Sequence, residues 1–332
     1  MQSPTVRKAA AAAASASRKP IGFLRSPTLP DFTRIFPPKQ LFNSAQKAGF
    51  LKCNRGEATA VLADIWRATR EMQPDNHDSM ASTIQGICKA RNFAPSNFLS
   101  LATLLQSTQP QVSPSPSPSP SPSPSSFHLP SISSDLLRLG VLLKDPAAII
   151  RTASRQLSSV RSTAKLDKHP IWHQLTNLAA NQNLPEAHEA IATIYTSLHE
   201  SDKARHAWQK AAAAGSGMAF SVLGTSAMMM GGGKTGSLQN PTSQTEAAID
   251  YFKRAAELGE VDAYWRLGEL LMDTDKPEAE YNLLVAAAAG SAMPLVKLEE
   301  LYRSRGDELM AGAWRDVALA VEDEGRADSV QP

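Results

Sequence analysis

The sequence predicts an all-α protein whose C-terminal half is a short right-handed α-solenoid of antiparallel helix pairs. The first observation behind this prediction is a recurring twelve-residue pattern, with alanine eleven residues before a glycine and a large apolar residue seven before it. The pattern ends at Gly215, Gly259 and Gly290, and a fourth copy has Val321 in place of the glycine. The large apolar residues of the four copies are Trp208, Phe252, Leu283 and Trp314. Self-similarity at a period of about 20–50 residues is typical of stacked helical repeats.

The second observation is a small-residue helix that follows the glycine. Alanine comes four residues on and a Leu-Gly pair eight and nine residues on, as at Ala263, Leu267 and Gly268. Spacings of four residues keep these side chains on one face of a helix, and small residues let two helix axes approach closely. The glycine that ends each copy suits the left-handed conformation just past a helix end. We therefore expect helix pairs that bury their apolar faces against the next pair.

These residues resemble the Sel-one-like repeat family, a subclass of tetratricopeptide-like helical repeats. The family pattern reads roughly A-x-x-x-L-G-x-x-Y, a short loop, then A-x-x-W/Y-x-x-A-A-x-x-G. The resemblance covers residues 185–321, and residues 263–290 match best. It implies a scaffold that holds protein partners on the concave surface lined by the first helix of each pair. It also implies partner contacts for side chains that project from that helix, namely Tyr264, Arg266 and Glu269.

Composition divides the chain into six predicted segments. They are a disordered basic leader (1–40), a small helical region (41–108), a disordered Ser-Pro linker (109–130), a helical cap (131–182), the helical repeats (183–321) and a disordered tail (322–332). Six consecutive Ser-Pro dipeptides form the linker, where proline removes backbone donors and fixes φ near the polyproline value. Pro146, after Asp145 as N-cap, and Pro170 each fit the first turn of a helix. The helix that begins at Pro170 is expected to cover the first repeat.

The small helical region has an apolar stripe over residues 58–66 that predicts a helix. Trp66 ends this stripe and is expected to anchor the core. Ile84, Ile87 and Cys88 predict a second helix. A third apolar run over residues 98–105 predicts another, for which Ser96 or Asn97 is a candidate N-cap.

Charge is unevenly distributed at the start of the chain. No acidic residue precedes Asp31, whereas five basic residues do, namely Arg7, Lys8, Arg18, Lys19 and Arg25. Arg-rich, Ser-rich and acid-poor composition is typical of a mitochondrial transit peptide, which predicts a mitochondrial location. The alternative is a basic tail without an address. The protein would then be a cytosolic or ER-associated adaptor controlled by phosphorylation of the Ser-Pro tract.

Several functional classes are disfavoured. The net charge of +2 does not suit a globally basic nucleic-acid binder, and the chain lacks the roughly 18 consecutive apolar residues of a membrane span. Cys53 and Cys88 lack the spacing of a metal site or a disulfide framework, so ordinary apolar thiols are expected, with one disulfide as the alternative.

Two motifs superficially suggest chemistry. The run 231–235 reads Gly-Gly-Gly-Lys-Thr, but Met228 stands where a phosphate-binding loop requires its first glycine. His169 and His173 are four residues apart, yet they lack an acidic or cysteine ligand at compatible spacing, so they are expected to be surface residues. The sequence thus predicts no catalytic residue, no cofactor and no metal site, and a protein that is not an enzyme.

Overall fold

The computed structural model of the chain describes residues 21, 24, 29–70, 72, 77–107, 129–230 and 243–330. Regular secondary structure within these ranges is entirely helical, which confirms the predicted all-α class. The chain divides into two compact units, Met1–Leu178 and Ala179–Pro332. The six Ser-Pro dipeptides of the predicted linker and the glycine run at 231–233 lie outside the described residues.

Helices of the first unit are short and follow one another closely. They are α1 (Phe32–Ile35), α2 (Lys39–Lys47), α3 (Arg55–Thr69), α4 (His77–Ala90), α5 (Ser96–Ser107), α6 (Leu129–Leu142), α7 (Pro146–Leu157) and α8 (Thr163–Leu166). They are followed by α9 (Pro170–Gln182), which begins at Pro170 as predicted. Its predicted role in covering the first repeat stays a prediction.

The core of the first unit is built mainly by α3, α5 and α6. Leu62 and Ile65 of α3 and Leu101 of α5 are fully buried in it. Trp66 lies in the same cluster, and the Arg70 guanidinium carbon sits 5.1 Å from its ring centre. The prediction that Trp66 anchors the core is therefore confirmed.

Two helix starts in this unit show what a sequence pattern can and cannot locate. Asp145 caps α7 by accepting the Ala148 backbone N–H at 2.9 Å, and Pro146 is the first helical residue, both as predicted. The prediction that Ser96 or Asn97 caps α5 is wrong, because the helix begins at Ser96. Asn97 is a buried residue inside the helix, and its side-chain oxygen accepts the Lys52 backbone N–H at 3.2 Å. The role of Asn97 is thus to accept a hydrogen bond from a backbone N–H that is distant in the sequence.

The predicted disordered leader over residues 1–40 is wrong at its C-terminal end. Phe32 opens α1 and is buried together with Phe36 and Phe42. The Phe32 and Phe36 ring centres are 6.0 Å apart, and those of Phe36 and Phe42 are 5.5 Å apart. Burying each ring contributes about 1.5–3 kcal/mol. The three rings belong to the same apolar cluster as Leu62 of α3, and this packing orders a proline-rich stretch whose local composition favours disorder.

The predicted separation of a helical cap (131–182) from the preceding helical region also needs correction. Ile132 and Leu136 of α6 are fully buried in the same core as α3 and α5. The Gln106 side-chain amide donates to the Ser133 hydroxyl at 2.9 Å and links α5 to α6. Helix α6 therefore belongs to the core of the first unit.

The second unit is an array of four helix pairs. The first helices of the pairs are α10 (Pro185–Ser197), α12 (Gly217–Met230), α14 (Val261–Leu271) and α16 (Met293–Ser304). The second helices are α11 (Ser201–Ala213), α13 (Ser243–Glu257), α15 (Lys276–Ala288) and α17 (Glu308–Val330). Each helix packs on its neighbours in the chain. The predicted array of antiparallel helix pairs is confirmed.

The two central pairs share one packing device. A Cβ atom added to Gly224 would lie 2.9 Å from Cε1 of Phe252, and one added to Gly268 would lie 2.5 Å from Cγ of Leu283. A side chain at either glycine would force these neighbours to shift, because each large apolar residue rests directly on the first helix of its own pair. Phe252 and Leu283 thus occupy equivalent niches, as the repeated pattern predicts.

The outer pairs vary this device. In the first pair the glycine position is Ala192, and Trp208 is the large residue opposite, with both buried. In the last pair the position is Glu299, whose carboxylate accepts hydrogen bonds from Arg303 and, at 2.7 and 2.8 Å, from Arg315. Trp314 is accordingly only partly buried. The last pair is therefore a modified end unit.

Glycines end the second helices as predicted. Gly215, Gly259 and Gly290 have φ of +96°, +88° and +89°, and the N–H of each following residue bonds to the carbonyl five residues before it. This is the paired hydrogen-bond motif that satisfies the last carbonyls of a helix. Because Val321 replaces the glycine of the fourth copy, α17 continues to Val330. The prediction of a disordered tail over residues 322–332 is thus wrong up to that residue.

Candidate functional site on helix α14

Helix α14 is the first helix of the third pair and carries the predicted partner-binding residues. Its inward side consists of Ala263, Leu267, Gly268 and Leu271, all buried, as spacings of four residues require. The remaining sides of the helix carry Tyr264, Arg266 and Glu269, each of them half-buried. The structure therefore places all three on α14 outside its most buried stripe, but not on one common side.

Tyr264 is turned towards the preceding pair. It packs against the apolar cluster that includes Phe252 of α13 and Ala263 and Leu267 of α14. Its ring contributes to the contact between α13 and α14. Substitution of Tyr264 would therefore disturb the array itself.

Arg266 and Glu269 form one unit with Trp265. The Arg266 guanidinium carbon lies 3.9 Å from the centre of the Trp265 ring, and Nη1 lies 3.2 Å from Oε2 of Glu269. The flat guanidinium is thereby held between an aromatic face and a carboxylate, a geometry that lysine does not reproduce. The Trp265 ring is fixed in turn by packing against Leu283 and Leu298.

The next pair adds two charged residues to this surface. Lys297 of α16 places Nζ 3.9 Å from Oε1 of Glu269 and 2.9 Å from Oε2 of Glu300. We call Arg266, Glu269, Lys297 and Glu300 the charged cluster. It carries two positive and two negative charges in alternation. Such a cluster suits a partner surface that also carries both signs, because each ion pair can be exchanged for one across the interface.

Three members of this surface, Trp265, Lys297 and Glu300, are absent from the predicted partner-binding residues. Lys297 immediately precedes Leu298, as Arg266 immediately precedes the equivalent Leu267. The repeat register therefore contains the signal that pairs them across neighbouring first helices. Trp265 lacks such a signal, because its stacking on Arg266 depends on side-chain conformation.

A second polar network fixes α16 against α15, below the charged cluster. The Tyr302 hydroxyl donates to Glu280 of α15, and Arg305 Nη1 bonds the other carboxylate oxygen at 2.5 Å. The hydrogen bond from Tyr302, followed by that from Arg305, lowers the pKa of the Glu280 carboxyl. Lys276 adds a bond to the Ser304 hydroxyl at 3.1 Å. This network fixes the C-terminal end of α16, the helix that carries Lys297 and Glu300, against α15.

The cysteines have no features of a reactive site. Both are free and buried. Burial, with a smaller effect of Glu57, raises the pKa of Cys53 to about 12, and burial raises the pKa of Cys88 to about 11. They remain neutral thiols at physiological pH, as predicted for ordinary apolar side chains.

The histidines do not assemble into a ligand set. His173 is exposed as predicted, whereas His169 is partly buried, and burial lowers the pKa of its imidazole. Within the described ranges, no group of three or more His, Cys, Asp or Glu side chains is placed to hold a metal ion. Every helix in the same ranges is too short or too polar to cross a membrane.

Comparisons with known proteins give structural neighbours only. No protein-family model matches the sequence, and no curated protein matches it. A crystal structure of a Sel1 repeat protein from Oxalobacter formigenes is similar over 85% of this chain and 99% of that one, with 16% identity and a TM-score of 0.44. Two crystal structures of MamA are 20% and 19% identical. They cover 50% and 56% of this chain and 94% and 98% of their own, with TM-scores of 0.37 and 0.38.

The repeat class is defined by this chain's own packing. Paired helices, a glycine beneath each large residue of the two central pairs and a left-handed glycine after three of the second helices occur together in the second unit. The second unit is therefore an array of α-helical repeats, as the sequence pattern predicts.

Proposed function

We propose that the chain is a non-enzymatic scaffold that binds protein partners through the second unit. The observation that carries the proposal is the charged cluster with Trp265. An arginine stacked on a tryptophan and paired with a carboxylate is already ordered, so a partner does not pay the full entropic cost of fixing these long side chains. Tryptophan and arginine are also the residue types that most often dominate binding energy at interfaces.

The test compares a cluster variant with a matched control. Arg266→Ala with Glu269→Ala removes one charge of each sign and leaves the net charge unchanged. The control, Asp250→Ala with Arg254→Ala, removes an exposed ion pair on α13, where the charged atoms are 3.3 Å apart. Proximity labelling in cells should lose a defined set of partners only with the cluster variant. An identical set of labelled proteins for both variants and the wild type would contradict the proposal.

The proposed location is the mitochondrion. The supporting feature is the acid-free basic stretch before Asp31, which suits import along a membrane potential. The test replaces its five basic residues by glutamine and leaves the buried Phe32 in place. We expect the tagged wild-type chain to co-localise with a mitochondrial marker and the variant to stay in the cytosol. Unchanged distribution of the variant would contradict a mitochondrial leader.

The alternative is a cytosolic or ER-associated adaptor regulated by phosphorylation. It is supported by the six Ser-Pro dipeptides, which are acceptor sites for proline-directed kinases. Mass spectrometry of the protein isolated from cells distinguishes the two. Phosphorylated Ser-Pro sites on a chain outside mitochondria favour the adaptor, and an unphosphorylated chain inside them favours the mitochondrial scaffold.

A further inference from the structure

A separate surface lies where the turns between helix pairs meet the starts of the first helices. Each turn exposes at least one large apolar side chain. Met218 is 47% exposed, Leu258 51% and Met293 53%, and Val261 beside Leu258 is 38% exposed. We call the surface formed by these four residues the turn edge. It is distinct from the charged cluster, which lies further along α14 and α16.

Two of the turns are in direct contact along this edge. A Cβ atom on Gly217 would lie 3.1 Å from Cβ of Leu258 and 2.7 Å from Cγ of Glu260. The turn before α12 therefore rests on the turn before α14. Met293 starts α16, the next first helix, which packs on α14. Because the first helices run in the same direction, the apolar side chains follow one another at intervals of one repeat.

Charge gives this apolar surface its chemistry. Glu257 and Asp262 are exposed on either side of Leu258, and Glu260 is half-buried between them. Acids in the first turn stabilise a helix dipole, which accounts for Asp262. The interaction of Asp262 with the helix dipole does not explain why the apolar side chain of Leu258 is exposed nearby.

Among the described residues, the two basic groups near the end of α13 have partners other than these acids. Lys253 places Nζ 3.3 Å from Oε1 of Glu278. Arg254, in the last turn of α13, pairs with Asp250 at 3.3 Å and lies 5.8 Å from the Phe220 ring centre. Lys210 is the basic residue in the last turn of α11, one repeat away from the acids around Leu258. The acids beside the turn edge therefore carry excess negative charge, and Glu257 and Asp262 face solvent.

We propose that the turn edge binds an amphipathic, basic helix of a partner protein. Apolar side chains of that helix would contact Met218, Leu258 and Met293, and its lysine or arginine side chains would pair with Glu257, Glu260 and Asp262. Neighbouring helix axes are about 8–10 Å apart, and two turns of a partner helix advance about 10.8 Å. Apolar residues repeated every seven positions on the partner thus match the repeat spacing. Exposed methionines adapt to different apolar partners. The inference specifies a partner class and rests on the proposed scaffold role.

The experiment uses the full chain and two synthetic helical peptides. Both peptides carry leucine at seven-residue intervals, one flanked by lysine and the other by glutamate. Fluorescence anisotropy should show binding of the lysine peptide, weakened by salt, and much weaker binding of the glutamate peptide. The variant Leu258→Ser with Met293→Ser should bind the lysine peptide at least about tenfold more weakly than the wild type, as expected for loss of central apolar contacts.

Controls separate this inference from the scaffold proposal. The variant Arg266→Ala with Glu269→Ala should bind the lysine peptide like the wild type, because the charged cluster is not part of the turn edge. Equal binding of both peptides, absence of binding, or unchanged binding by the Leu258/Met293 variant would overturn the inference.

Light scattering that shows a dimer lost in that variant would assign the edge to a second copy instead. Binding of the edge to phosphatidylserine vesicles would assign it to a membrane. Partner loss in the Arg266/Glu269 variant would leave the scaffold proposal standing in each case.

Discussion

Gly224 and Gly268 are positions where a hydrogen atom in place of a methyl group decides how closely two helices pack. The side chains that occupy the freed space, Phe252 and Leu283, are fully buried. Helical glycine is otherwise unfavourable by roughly 0.5–1 kcal/mol relative to alanine. Close packing therefore outweighs the cost in helix propensity at both sites.

The first prediction concerns this contact. Gly268→Ala should lower the free energy of unfolding by about 1–3 kcal/mol, because the new methyl group overlaps Leu283. Gly312→Ala is the matched control in α17, where an added Cβ meets no atom within 4 Å. The control should be neutral or stabilising by about 0.5–1 kcal/mol. Urea unfolding measures both, and a neutral Gly268→Ala would contradict the packing argument.

A second prediction concerns the buried thiols. Cys53 and Cys88 should react negligibly with a thiol reagent at neutral pH, since burial raises the pKa of both and excludes the reagent. Both should react after unfolding in urea. Ser201→Cys, at an exposed position in α11, serves as a positive control and should react at once. Rapid reaction of either native cysteine would show that the core of the first unit opens readily.

At the scale of helices, the contact between α15 and α16 combines apolar packing with the network around Glu280. Tyr302 and Arg305 both lie near the C-terminal end of α16 and reach back to one carboxylate. Leu283 and Leu298 supply the apolar part of the same contact. The polar network adds orientation, because it fixes the end of α16 whose middle carries Lys297.

The third prediction follows from the lowered pKa of Glu280. A carboxyl whose pKa is lower in the folded state than in the unfolded state stabilises the fold at pH values above its ordinary pKa of 4.5. That contribution is lost as the pH falls through the pKa of the folded state. Thermal stability of the wild type should therefore decrease below about pH 4.5. Tyr302→Phe removes the largest cause of the shift and should flatten this dependence.

The matched control for this pH series is Glu257→Gln, which changes an exposed carboxyl on α13. It should leave the acid limb as steep as in the wild type. A Tyr302→Phe variant with the same acid dependence as the wild type would show that the Glu280 network does not couple to folding.

Helix positions were predictable where one residue type performs one local task. Left-handed glycines such as Gly259 and large residues such as Phe252 repeat with the array and identify it, and Pro146 marks the first turn of α7. Burial of Phe32 was not predictable, because its partners Phe36 and Phe42 lie among prolines that favour disorder locally. The stacking of Arg266 on Trp265 was equally inaccessible, since it depends on a side-chain conformation selected by the neighbouring helix.

At the scale of the molecule, the two units use different principles. The first unit has a core that gathers helices from distant parts of the sequence, such as α3 and α6. The second unit is an array in which each helix packs on its chain neighbours. Stability in such an array is approximately a sum of repeat terms and nearest-neighbour interfaces. Damage to one pair should therefore spread only to the adjacent pairs.

Hydrogen exchange in a Leu298→Ala variant tests this central claim most directly. Leu298 is fully buried between α16 and its neighbours, and its truncation should cost about 2–5 kcal/mol. We predict a large loss of amide protection in α15, α16 and α17, a smaller loss in α14, and near-normal protection in α10 and α11. Equal loss of protection throughout α10 to α17, or a loss confined to α16, would contradict the account of helix pairs that stabilise one another in sequence.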